Sequence, residues 1–226
     1  MGLYYQERAE DLAQIFPEWT NKIPTILAFS VTILIICGIG FIWYFFSPLY
    51  TDVGYSPKQP VEYSHKVHAS DLGIDCRYCH VAVEVSAVAS VPPTQTCMNC
   101  HKIVKADSEK LAVVRESWAT GFPIEWVRVH NVPDYAYFNH SAHINVGVGC
   151  KSCHGRIDQM EVVTLSEPLS MSWCLDCHRN PDMHLRPVSE ITNMKWEPPT
   201  DQLEFAKKIK AEKNIDPPVD CTGCHR

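Results

Sequence analysis

Five times along this chain a cysteine, two unrelated residues, a second cysteine and a histidine follow one another, and no other feature limits the fold as tightly. The pattern reads CRYCH from Cys76 and Cys79 to His80, CMNCH from Cys97 and Cys100 to His101, and CKSCH from Cys150 and Cys153 to His154. It returns as CLDCH from Cys174 and Cys177 to His178, and as CTGCH from Cys221 and Cys224 to His225. A chain with eleven cysteines and eleven histidines in 226 residues holds about 0.03 such patterns by chance. Five copies therefore reflect one chemical demand made five times.

C-x-x-C-H is the attachment pattern of c-type haem. Two thiols must reach two vinyl groups of one macrocycle, which fixes their separation. The histidine after the second thiol then faces the iron. Structural zinc takes C-x-x-C units in pairs, leaving one of five over, and needs no histidine after each. Disulfides do not require that histidine either, and no βαβ pattern accompanies the motifs as a thioredoxin-like site would require. The reading is five covalently bound haem c groups, with proximal iron ligands His80, His101, His154, His178 and His225. Cys37 stands apart from the motifs in an apolar run, as a small hydrophobic residue.

That run extends from Ile26 to Phe46, inside a stretch 23–51 without formal charge. At about 1.5 Å per residue it covers about 30 Å, the hydrocarbon thickness of a bilayer. It exceeds the apolar region of an ordinary signal peptide, and no small-residue cleavage site follows it. An uncleaved membrane anchor is expected, with Trp43, Tyr44 and Tyr50 at its interface. Arg8 and Lys22 precede it while Lys58 and Lys66 follow, so basic residues do not orient it. Leu12, Ile15, Phe16 and Trp19 recur at helical spacing, predicting a short amphipathic helix that ends near Pro17 and lies either at the interface or on a partner subunit.

After the anchor, sixteen prolines in the chain against ten glycines, with few long periodic segments, leave little from which to build a side-chain core. About 36 residues are available per haem, so each macrocycle must itself be the apolar centre of a short piece of chain. The expected fold class is a single N-terminal transmembrane α-helix plus a loop-rich, mainly α and irregular multihaem domain organised around five haems. The formal charge of -6 provides no basic surface for nucleic acid. Residues 108–120 predict an amphipathic helix with Leu111, Val114 and Trp118 on one face, Asp107 or Ser108 as cap, and Gly121 then Pro123 as stop. Residues 202–213 predict a polar helix acting as a spacer.

Six histidines lie outside the motifs: His65, His68, His130, His140, His143 and His184. Four form two similar pairs, in YSHKVH and FNHSAH, each shortly before a C-x-x-C-H. The stretch from YSHKVHASDLGIDCRYCH to TCMNCHK repeats as FNHSAHINVGVGCKSCH to WCLDCHR, an internal duplication. The expected divisions are 1–22 as a cytoplasmic or interfacial segment, 23–48 as the transmembrane helix, and 49–226 as an extracytoplasmic domain. Within the last, 49–106 and 138–187 are di-haem modules, 107–137 a connector and 188–226 a fifth-haem tail.

Aromatic-x-His-x-x-His ahead of C-x-x-C-H resembles the class III, cytochrome c3 and c7-like, multihaem cytochromes. That resemblance implies that His65 serves the Cys76/Cys79 haem and His140 the Cys150/Cys153 haem, while His68 and His143 cross to others. One iron then lacks a second ligand. Met171, three residues before Cys174, His130 and His184 are the candidates, a thioether giving a haem of higher potential. His184 is equally readable as a propionate contact.

The whole chain, including WVRVHNVPDYAYFNHSAH, EPLSMSWCLDCHRNP and HLRP, resembles the pentahaem subunit of bacterial alternative complex III. The resemblance implies an electron-transfer subunit without a catalytic site of its own, collecting electrons from quinol and passing them to a monohaem cytochrome c or a terminal oxidase. Implied partners are an iron–sulfur subunit of molybdopterin-enzyme descent, polytopic quinol-binding subunits, a monohaem cytochrome c and the lipid bilayer. c-type cytochromes acquire haem outside the cytoplasm, which implies an inner-membrane protein with its N-terminus inside and its haems on the periplasmic face. NapC/NirT-type quinol dehydrogenases are the alternative; they carry four haems as a rule, with the first motif soon after the anchor. A multihaem enzyme with a substrate haem is the weaker alternative, since no C-x-x-C-K variant is present.

Overall fold

The structure is a computed structural model that describes residues 15–225. The chain divides into two compact units with the boundary after Tyr50. In the first, Pro17 opens a 3-10 turn, Glu18–Lys22, that runs directly into a helix, Ile23–Phe45. Proline at the entrance suits a helix start, because its missing N–H is one the first turn leaves unpaired anyway. Leu12 lies outside the described residues, and Ile15 and Phe16 stand in a bend. The predicted helix ending near Pro17 falls mostly outside the described residues.

The Ile23–Phe45 helix is apolar all round and none of it is buried. It is the one described helix long and apolar enough to cross a membrane. Thr32 hides its hydroxyl by donating to the Ala28 carbonyl at 2.8 Å. The helix stops three residues short of the predicted limit at 48, because Pro48 cannot continue its hydrogen-bond ladder. Phe45 packs against Phe41 and Tyr50, with ring centres 4.5 and 4.8 Å apart.

From Thr51 onward the chain is built from short helices and loops, and β pairing among the described residues is confined to isolated bridges joining Ala136 with His225 and Val148 with Leu185. Among the described residues, ten hydrophobic side chains are buried, which is few for a chain of this length. One cluster joins Val61, Met98 and Val114; a second joins Leu185, Ala206 and Ile209. Met98 of the first belongs to CMNCH, and Val148, packed against the second, stands two residues before Cys150, so both clusters adjoin cysteine motifs.

The predicted 108–120 helix begins as a 3-10 turn, Glu109–Leu111, and becomes α-helical over Ala112–Thr120. Ser108 caps the turn by position, without a side-chain bond. Its buried face differs from the expectation: Val114 and Ser117 point inward while Trp118 is 45% exposed beneath the Lys102 ammonium. Ser117 earns that place by donating to the Phe122 carbonyl at 2.6 Å and pairing with Thr94 at 2.7 Å. The Gln202–Lys213 helix has the predicted bounds but packs as more than a spacer. Ala206 and Ile209 close over Leu185, and the buried Gln202 amide donates to the Asp182 and Leu185 carbonyls at 2.6 and 2.8 Å.

Candidate functional site

All five motifs sit on helical turns: Cys76–Cys79, Thr94–His101, Lys151–His154, Met171–Arg179 and Cys221–Cys224. On such a turn residues at i and i+3 share a face, so the two thiols of each motif lie on one side. The sequence writes these turns with N-caps. Asp75 accepts from the Arg77 amide, Ser170 from the Trp173 amide, and Asp220 from the Thr222 and Gly223 amides. All cysteines are free thiols, and no group of three or more metal-binding side chains is assembled among the described residues.

Asp75 makes the most elaborate cap. It binds Arg77 Nε at 2.8 Å and Nη2 at 3.0 Å, and accepts from Thr192 Oγ1 at 2.9 Å. The Arg77 hydrogen bond holds its carboxyl down at about 2. A carboxyl depressed in the folded state stabilises the fold above its unfolded value near 4, and that contribution fades as pH falls from about 4 to about 2. Asp75→Ala is expected to cost about 1 kcal/mol. Asp75→Asn should keep the cap yet flatten the acid dependence in that window, as read from thermal melts between pH 2 and 5.

The histidines share a second arrangement. Nδ1 meets a backbone carbonyl in His68 (Ser64, 2.8 Å), His80 (Ser90, 2.8 Å), His101 (Val104, 2.9 Å) and His140 (Ala87, 2.8 Å). The same holds for His143 (Asn139, 2.8 Å), His178 (Pro218, 2.7 Å) and His225 (Tyr135, 3.0 Å). A carbonyl only accepts, so each Nδ1 carries the proton and each Nε2 keeps a free lone pair. That is the tautomer and outer hydrogen bond of a metal-ligating histidine.

Ring spacings point the same way. The His68 and His101 rings lie 6.2 Å apart, and those of His143 and His178 lie 6.0 Å apart. Two imidazoles bound to opposite sides of one metal at about 2 Å, with each ring centre about 1.1 Å behind its nitrogen, stand about 6.2 Å apart. Tyr63 packs against both His65 and His68, at 4.8 and 4.5 Å, and Phe138 against both His140 and His143, at 4.7 Å each. The duplication thus extends to the contacts of its aromatic residue. The backbones differ: His68 rides on a turn of π-helix, Lys66–Asp71, whereas His140 and His143 share an α-helix, His140–Val146.

His65, His130 and His154 crowd the interior. The His130 and His154 rings are 4.3 Å apart, closer than two ligands across an iron. Three buried nitrogens here have no partner: His65 Nδ1, His130 Nε2 and His154 Nδ1. Burial holds the His65 imidazole down at about 4 and that of His154 at about 3, both neutral, the form a metal takes. Met171 is 65% exposed on the first turn of its helix, and His184 is half-buried on the turn Pro181–His184.

Arg186 escaped the sequence reading, because nothing distinguishes one arginine in HLRP. It is 4% exposed, with its guanidinium 4.5 Å from the Trp196 ring centre and Nη1 on the Asn193 carbonyl at 3.1 Å. Its Nε has no acceptor, and the guanidinium fills the space where a Cβ on Gly149, next to Cys150, would fall. A buried cation short of an acceptor suits the carboxylates that haem carries as propionates. Paired thiols, neutral imidazoles, unpartnered buried nitrogens and a sparse core together fit haem c.

Comparison with known proteins agrees in kind. Residues 142–226 match the cytochrome c3 family and residues 50–120 match the class III cytochrome c family, one in each half of the duplication. The multihaem cytochrome c subunit of menaquinone reductase from Nitratidesulfovibrio vulgaris is 37% identical over 102 residues, 44% of this chain and 48% of that protein. The chain spans about half the length of this curated relative. These matches support a multihaem c-type cytochrome with covalently bound haem.

Proposed function

We propose that this chain is a pentahaem c-type cytochrome, anchored in the cytoplasmic membrane by the Ile23–Phe45 helix, that conducts electrons within a quinol-oxidising complex of the alternative complex III type. Each motif attaches one haem through its two thiols, with the following histidine as proximal ligand. His68 is the second ligand at the Cys97/Cys100 haem and His143 at the Cys174/Cys177 haem. His65 and His140 serve the Cys76/Cys79 and Cys150/Cys153 haems, and the fifth iron takes its second ligand from Met171, His130 or His184. The observation that carries the reading is the repeated Nδ1-to-carbonyl bond together with ring spacings of 6.2 and 6.0 Å. The haem supplies reversible one-electron chemistry. The protein fixes the axial ligands and their hydrogen bonds, shields the rings from water and sets the potentials.

Attachment of haem c implies that residues from about 49 onward lie on the periplasmic face, with the N-terminus inside. Quinol chemistry is then the work of partner subunits: polytopic quinol-binding proteins, an iron–sulfur subunit and a monohaem cytochrome c. A second reading reverses the flow, with this chain delivering electrons toward quinone. It is favoured by the relative, which is named as a subunit of a menaquinone reductase.

A pyridine haemochrome assay is expected to give five haems per chain, and the intact mass should exceed that of the polypeptide by five haems. Purified alone, the chain should not oxidise quinol. Quinol oxidation by the isolated chain would favour a NapC/NirT-type dehydrogenase, and fewer than five haems would reject the pentahaem reading.

A further inference from the structure

The order of the motifs in space is not their order in the chain. Asn99 of CMNCH donates to the Tyr78 hydroxyl of CRYCH at 3.2 Å. The 97–101 motif therefore neighbours the 76–80 motif. CRYCH in turn meets CKSCH. Two consecutive residues clamp both turns: the Ile191 carbonyl accepts from the Cys150 amide at 3.0 Å, while Thr192 Oγ1 binds Asp75.

The next neighbours are CKSCH and CLDCH. The His140–Val146 helix brings His143 to His178, and the Val148 amide, two residues before Cys150, returns to the His143 carbonyl at 3.0 Å. Last, His178 Nδ1 donates to the Pro218 carbonyl at 2.7 Å, and Pro218 packs under Gly223 of CTGCH.

From these contacts we infer that the five haems form an unbranched file in the order Cys97/Cys100, Cys76/Cys79, Cys150/Cys153, Cys174/Cys177, Cys221/Cys224, with electrons exchanged with partners at its two ends. The inference rests on the pentahaem reading. Exposure supports the choice of ends independently: among the ten motif cysteines only Cys100 and Cys221 are exposed, one in each terminal motif. The haem of CKSCH occupies the middle, beside the interior trio of His65, His130 and His154. It separates a pair on one side from a pair on the other. Swapping the first two motifs relative to chain order follows from the crossed ligation, because His65 faces inward while His68, three residues on, reaches outward to His101.

Iron positions test this directly. In the haem-loaded full chain, anomalous scattering at the iron edge should locate five irons, each assigned by the cysteine pair to which its macrocycle is bonded. The expected result is that the Cys150/Cys153 iron has as nearest neighbours those of Cys76/Cys79 and Cys174/Cys177, and that the Cys97/Cys100 and Cys221/Cys224 irons have one near neighbour each. Five irons in a branched arrangement, or with the Cys76/Cys79 iron at an end, would overturn the file while leaving the pentahaem reading standing. An intact mass short of five haems would overturn the pentahaem reading and the file with it, so the two failures are distinguishable.

Discussion

Replacing His68 or His143 with alanine should turn one haem in five from six-coordinate to five-coordinate, giving a holoprotein that binds carbon monoxide on one-fifth of its iron. His68 stands 6.2 Å from His101 and His143 stands 6.0 Å from His178, each with Nδ1 committed to a carbonyl four residues back. Tyr63 packs behind His68 and Phe138 behind His143. Alanine leaves a void where the imidazole stood, and a diatomic gas can enter it. Reduced-plus-carbon-monoxide difference spectra and the high-spin electron paramagnetic resonance signal read the change, and the covalent haem count should stay at five. The unsubstituted holoprotein serves as the reference and should bind far less. If the His68 and His143 variants stay low-spin and inert to carbon monoxide, the pairing of these rings across an iron is wrong.

How much of this was legible in the sequence depends on whether the information is local. The five C-x-x-C-H turns are local, because covalent attachment demands a fixed spacing, and they appear as helical turns with their caps. The apolar helix is also local, being a matter of length and composition, and it deviates from expectation only at its ends, where Pro17 and Pro48 act. The duplicated aromatic-His-His pattern is matched in the structure by like packing of Tyr63 and Phe138 against their histidines. What stayed hidden is carried by backbone. The carbonyls of Pro218, Tyr135 and Ala87 hold histidines 40, 90 and 53 residues away, and any residue type can supply a carbonyl. Arg186 and the inward face of the Gln202–Lys213 helix were invisible for a related reason. A buried arginine and a buried glutamine read as polar until the partner segments that cover them are known.

Gly147→Ala should be the most damaging single methyl in the haem-bearing unit. Gly147 ends the helix that carries His140 and His143, with φ at 102°, and its amide donates to the Ile144 carbonyl at 3.0 Å. Left-handed backbone costs a residue with a Cβ about 1–2 kcal/mol. Here the methyl would also strike the Arg186 carbonyl oxygen, backbone that cannot swing aside. Arg186 is fixed by its own amide, which donates to the Gly147 carbonyl at 2.9 Å, and by the Leu185 side chain buried against Ala206 and Ile209. To relieve the clash the helix end must withdraw, taking His143 from His178 and opening the Val148–Leu185 bridge. A loss of about 3 kcal/mol or more is expected, equal to a fall in Tm of about 6–12 °C for a unit of this size. Gly121→Ala isolates the clash. Gly121 also ends a helix at positive φ, 77°, but a Cβ there meets nothing within 4 Å, so only the conformational cost of about 1–2 kcal/mol applies. Thermal melts of the two holoproteins, followed in the Soret band, should therefore differ by several degrees; equal melting temperatures would mean that the segment around Arg186 yields, and that it does not hold the His140–Val146 helix in place.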